Sequence, residues 1–96
     1  MLFRSLDPKN ALAWARLSEV WASFGELNRA LEAAQKAVAL EPNLSRTQTV
    51  LGYAYLMRVE TKEATEAFEK AIALDQADPL PRLGLGLAKI DRKSVV

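Results

Sequence analysis

The chain repeats itself. Leu6-Asp7-Pro8 returns as Leu40-Glu41-Pro42, 34 residues on, and a second step of the same size reaches Leu74-Asp75-Gln76. Other columns keep this step: Leu17-Ser18 with Leu51-Gly52 and Leu85-Gly86, Trp21 with Tyr55, Ala30 with Ala64, Ala37 with Ala71. Gln35-Lys36-Ala37-Val38-Ala39-Leu40 and Glu69-Lys70-Ala71-Ile72-Ala73-Leu74 are near copies. A period of this length holds one small supersecondary unit, which cannot cover its own apolar surface and must lean on a neighbour. The fold is thereby narrowed to a stack of like units.

Each unit reads as two helices. Leu12, Trp14, Leu17, Val20, Trp21 and Phe24 recur at three- and four-residue steps, which predicts a helix from Ala11 to Phe24. Asn10 is expected to cap its start and Gly25 to end it in a left-handed conformation. A second helix is predicted from Asn28 to Leu40, with a Glu32–Lys36 pair one turn apart, and Pro42 stops it. The plan repeats with helices at Ser45–Arg58 and Lys62–Leu74, the latter with Thr61 as cap and Glu66–Lys70 as surface pair. A fifth helix is predicted from Pro79 to Arg92, with Asp78 as N-cap and proline in the first helical position. No stretch alternates like a strand. The expected class is all-α.

Small residues at repeated positions show how the units close on one another. Gly52 and Gly86 (Ser18 in the first unit), with Ala30, Ala64, Ala37 and Ala71, let helix axes approach, and Trp14, Trp21, Tyr55 and Phe68 are expected to fill the gaps. Gly52→Leu is expected to overpack this contact at a cost of about 1–3 kcal/mol.

These residues resemble the tetratricopeptide repeat. Its pattern of W-x2-L-G-x2-Y, then A-x3-F, then a later A and P, is matched by Trp14-x2-Leu17-Ser18-x2-Trp21, Ala30, Ala37 and Pro42. The second unit matches through Leu51-Gly52-x2-Tyr55, Ala64-x3-Phe68 and Ala71, and the third through Leu85-Gly86. Gln48 and Arg82 stand where the family has tryptophan, Ala34 at the Phe68 column, Gln76 in place of proline, and Val59 where Gly25 turned the chain. The resemblance implies a right-handed α-solenoid of helix-turn-helix repeats, two full units plus a partial third. Residues 1–96 then form a single domain: 1–8 the end of a preceding unit, 11–44 the first repeat, 45–78 the second, 79–96 a partial third. Met1 to Leu6 aligns with the end of a second helix, so a fragment of a longer array is the expectation, or else a small protein with an imperfect cap.

The resemblance also implies a task, since such arrays are usually scaffolds that bind peptides or proteins on the concave surface lined by each unit's first helix. The candidate binding residues are Leu12, Arg16 and Glu19 from the first unit, Arg46, Thr49, Val50, Tyr53, Leu56 and Met57 from the second, and Leu83 and Leu87 from the third. Ala15, Ala22, Ser23, Leu80 and Gly84 lie on the same surface. One subset of the family grips a C-terminal carboxylate with Lys, Asn and Arg. Here Ala15, Glu19, Val50 and Gly84 occupy those columns, so the resemblance implies no such clamp and no chaperone-tail ligand. The expected partner is an apolar or amphipathic protein segment, with Met57 adapting its shape and Tyr53 adding a hydroxyl. An alternative reading makes Leu56 and Val50 contacts between units. Another makes the chain a structural module that self-associates through its end helices, since Leu83, Leu85, Leu87 and Ile90 are apolar for a cap.

Composition closes other routes. Lys and Arg number 13 against 12 Asp and Glu, a formal net charge of +1, which argues against a dedicated nucleic-acid binder. Cysteine and histidine are absent, and with them thiolate nucleophiles, imidazole bases and most transition-metal sites. No enzymatic activity and no cofactor or metal is expected. No apolar run approaches the ~20 residues of a spanning helix, and the first six residues are too short for a signal peptide, so a cytoplasmic location is the expectation. Gly84-Leu85-Gly86 follows no strand and lacks a phosphate loop's Lys-Ser/Thr. Glu60, Glu63, Glu66 and Glu69, interleaved with Lys62 and Lys70, read as a solvated face rather than paired catalytic acids. Arg82, Lys89, Arg92 and Lys93 read as a helix end placed near the negative pole of its dipole.

Overall fold

The computed structural model describes residues 8–94. The expectation for 1–8 therefore lies, Pro8 apart, outside the described residues, as do the side chains of Arg92 and Lys93. Five helices follow in order: α1 (Ala11–Ser23), α2 (Leu27–Leu40), α3 (Ser45–Met57), α4 (Thr61–Leu74) and α5 (Pro79–Ser94).

Local chemistry sets most of the ends. The Asn10 side chain accepts from the Ala13 amide at 3.2 Å and starts α1. Asp78 Oδ1 accepts from the Leu80 amide at 3.0 Å, with Pro79 opening α5. Gly25 turns the chain at φ 80°, and Val59 makes the equivalent turn at φ 63°, where a β-branched residue is strained. The Thr61 cap is not formed. Thr61 is the first residue of α4, and Glu60, in the cap position, makes no capping hydrogen bond because its carboxylate accepts from Arg58 Nε instead. The pairs Glu32–Lys36 and Glu66–Lys70 do not close among the described residues; Lys36 lies 4.8 Å over the Trp14 ring.

Stacking follows from which helices meet. α1 packs on α2 and α3, α3 on α4 and α5, α2 on α3, and α4 on α5, whereas α2 and α4 do not touch. First helices therefore form a touching inner row and second helices a diverging outer row, in a body of 46 × 28 × 18 Å. The result is an all-α solenoid.

Packing between rows uses two solutions at one register. Between the first two units, Ala15, Ala34, Ala37, Val50 and Ala54 form one buried cluster, with Trp14, Leu31 and Leu51 against it. One step on, Phe68 stands in the Ala34 column and is fully buried, a burial that stabilises by about 2–3 kcal/mol. Room for its ring comes from glycine: a Cβ on Gly52 would lie 2.6 Å from Phe68 Cε1, and one on Gly84 closer still. This corrects the assignment of Gly86 to the tight contact, since a Cβ there would meet no described atom within 4 Å. Gly84 faces the preceding α4, whereas Gly86 faces where a second helix of its own unit would lie. Trp14, Trp21 and Tyr55, expected as gap fillers, are only partly buried.

The tryptophan column keeps its hydrogen bond where it loses its ring. Trp14 Nε1 donates to the Pro8 carbonyl at 3.0 Å, Gln48 Nε2 to that of Pro42 at 2.8 Å, and Arg82 Nη2 to that of Gln76 at 3.1 Å. Each bond spans six residues and ties the first turn of a first helix to the turn before it. What this position requires is a long side chain ending in N–H.

Candidate functional site

The inner row encloses a groove of about 340 Å³ between α1, α3 and the start of α5. Six of the expected residues meet there: Glu19, Arg46, Thr49, Val50, Tyr53 and Met57. Ala22 and Leu80, placed on the same surface by the sequence, complete the wall with Ser18 and Ala54. The sequence marks Ser18 only as a packing residue and gives no sign of Ala54; their small size, which lets helices approach, also leaves room for the groove.

The floor is not free to grip. Thr49 and Val50 are only 3% and 4% exposed, and Thr49 Oγ1 donates to the Ser45 carbonyl at 2.8 Å. Val50 is thus a contact between units, as the alternative reading had it, because α1 and α2 close over it. Gly84 is likewise buried, beneath Phe68. Tyr53 is a strut as much as a handle. Its hydroxyl donates to the Leu80 carbonyl at 2.7 Å, and its ring meets that of Phe68 edge-on, with centroids 4.9 Å apart. Burial, and then the Asp78 carboxylate, push the Tyr53 phenol above its ordinary 10.0, against an opposing hydrogen bond to the Gly84 backbone.

The two ends of the groove differ. At the start of α3, Arg46 Nη2 reaches Glu19 on α1 at 3.3 Å, in a pair about half exposed on both sides. Such a pair contributes at most about 1 kcal/mol, so either charge can turn to a ligand. At the far end Met57 is exposed, an unbranched side chain able to follow an irregular surface. Leu12 and Arg16 are exposed on α1 outside the groove, Leu56 is half-buried, and Leu83 and Leu87 lie exposed further along α5. A second notch is lined by Gly25, Glu26, Leu27, Asn28 and Arg58, and in it Arg58 donates to Asn28 Oδ1 and to Glu60. Among the described residues no three His, Cys, Asp or Glu side chains could hold a metal ion, and no helix is long and apolar enough to cross a membrane.

A touching row of first helices, a diverging row of second helices and a groove on the inner side define an α-solenoid of helix pairs. No family model matches the chain. Over 85 residues it is 33% identical to an Hsp70-Hsp90 organizing protein of Triticum aestivum, covering 88% of this chain and 15% of that protein. Over 84 residues it is 23% identical to small glutamine-rich tetratricopeptide repeat-containing protein 2 of Mycosarcoma maydis, covering 88% of this chain and 24% of that one. The Sgt2 TPR domain from Aspergillus fumigatus superposes with a TM-score of 0.85 at 24% identity, covering 92% of this chain and 60% of that chain. MamA superposes with a TM-score of 0.80 at 29% identity, covering 91% and 51%. The period, the helix pairs and these likenesses make the chain a tetratricopeptide-repeat solenoid. It spans only 15% and 24% of the curated relatives' lengths.

Proposed function

We propose that the chain is a non-enzymatic protein-interaction scaffold whose inner groove takes an apolar or amphipathic segment of another protein. The observation that carries this reading is the groove: about 340 Å³, with Ala22, Tyr53, Met57 and Leu80 as its walls and the Glu19–Arg46 pair at one end. Apolar walls supply burial, and a polar end fixes the orientation of what binds. The names of the relatives, an organizing protein for Hsp70 and Hsp90 among them, support the scaffold part. A C-terminal carboxylate suits this groove poorly. Ala15 and Val50 are buried, and Glu19 presents a carboxylate of its own.

The test uses peptides selected for binding from a displayed library, measured by calorimetry against the chain and against Met57→Glu. The reading expects peptides with an apolar anchor and a loss of at least about tenfold on placing a charge at the groove's mouth. Unchanged affinity for every selected peptide rejects it. Self-association through α5 is the second reading, favoured by the exposure of Leu83, Leu87 and Ile90.

A further inference from the structure

We propose that the segment taken by the groove carries a side-chain carboxylate beside its apolar anchor, and that Arg46 leaves Glu19 to hold it. This rests on the reading of the groove as a peptide site and adds the charge that selects the peptide. Among the described residues, Glu19 and Arg46 are the only charged side chains that line the groove. They meet in a register that the inner row uses twice. Glu19 lies 27 residues before Arg46, and Tyr53 lies 27 residues before Leu80. At the second junction the contact is a strut, with the Tyr53 hydroxyl donating to the Leu80 carbonyl at 2.7 Å. A backbone carbonyl inside a helix cannot swing away, and Leu80 offers no charge to a ligand. At the first junction two half-exposed side chains meet instead, so this contact can open without disturbing a helix.

The form of the pair leaves Arg46 with donors to offer. Nη2 alone makes both contacts, at 3.4 Å to Glu19 Oε1 and 3.3 Å to Oε2. Both are longer than a usual charge-assisted bond, and the stronger arrangement of two parallel bonds from two nitrogens is not formed. Nε and Nη1 make no hydrogen bond among the described residues, and the side chain is 45% exposed. A second carboxylate can therefore take two parallel bonds from Arg46 and displace the weaker contact. The neighbours set the sign of the ligand. Arg16 stands three residues before Glu19, one turn away on the same face of α1, and is exposed. A cation bound to Glu19 would meet Arg46 at once and Arg16 a turn away, whereas an anion on the free edge of Arg46 is attracted. Glu19 acts as a filter. A chain terminus held in the floor would meet its carboxylate, and a side chain reaching in from solvent need not. Along α3, Tyr53 and Met57 stand about 10 and 16 Å from Arg46. The acid and the anchor of an extended segment are therefore about three to five residues apart.

The probes are the library-selected peptides, resynthesised with blocked termini so that any carboxylate is a side chain. Each has a twin in which its Asp or Glu becomes the amide. The tight binders are expected to carry an acid about three to five residues from the anchor. Calorimetry on the full chain should show a loss of about tenfold in the twins. Arg46→Gln should remove the difference within each pair, and Glu19→Gln, which frees Arg46, should tighten the acidic peptides about threefold or more. Peptides that are weakened by Met57→Glu yet bind equally well as acid and as amide would overturn this proposal and leave the groove reading standing. So would tight binders without an acid, binding only through a free C-terminus, or an acid preference that survives Arg46→Gln. Peptides indifferent to Met57→Glu would overturn both.

Discussion

Phe68 on α4 lies so close against Gly84 on α5 that an alanine at residue 84 would overlap its ring. The preceding interface solves the same problem with sizes exchanged: Ala34 is small and Val50 fills the space. Gly84→Ala should therefore cost about 1–3 kcal/mol, and Phe68→Ala about 3–5 kcal/mol. Combining Phe68→Ala with Gly84→Val should recover part of the second loss, because it rebuilds the earlier pairing. Urea melts of the singles and the double give the coupling; strict additivity would mean that the exchange of sizes is incidental.

Val59 carries a β-branched side chain at φ 63° and is exposed, so its side chain gives little packing in return for the strain. Val59→Gly should raise stability by about 1 kcal/mol, and Gly25→Ala, at φ 80°, should lower it by a similar amount. Thermal melts of both variants check the pair of opposite signs.

The donor column separates buried from exposed bonds. Gln48 is 3% exposed, so Gln48→Met, which keeps the length and removes the N–H, should cost about 1–2 kcal/mol by leaving the Pro42 carbonyl without its donor. Arg82→Met, at an exposed site, should change stability by under about 0.5 kcal/mol. Denaturant midpoints of equal size for the two variants would contradict this ordering.

Tyr53 gives the fold an alkaline limit. Its phenol is raised in the folded chain by burial and by Asp78, so the folded state holds this proton more tightly than the unfolded one. The stabilising contribution is whole below pH 10.0 and is lost as pH rises from there through the folded value. Tyr53→Phe should melt lower at neutral pH, having lost the bond to the Leu80 carbonyl, but fall less between pH 9 and 11 than the parent, by roughly the share this one group contributes. Melting curves across that range test the difference in slope.

The order and type of all five helices were legible because they depend on a helix's own period and on local chemistry: Asn10, Gly25 and Asp78 act within a few residues of themselves. What sequence misjudged depends on how one unit turns against the next. Val50 sits on the inner helix yet is covered by α1 and α2, Thr49 is buried with its hydroxyl donating to the Ser45 carbonyl, and Gly84 rather than Gly86 lies against Phe68. A signal was present. Ala34 with Val50 and Phe68 with Gly84 trade bulk across one period, and reading columns in pairs instead of singly exposes it. Glu19, Arg46, Thr49, Val50, Tyr53 and Met57 line the groove on the inner face that the resemblance implies; Ser18 reads from sequence as packing alone and Ala54 carries no signal of its own, yet both line it too.

The groove is tested most directly by mapping where a selected peptide lands. Backbone NMR shifts followed during titration of such a peptide should concentrate on Glu19, Ala22, Arg46, Met57 and Leu80, with little change along the outer residues of α2 and α4. Shifts gathered on that outer row, with the inner row unmoved, would contradict the account.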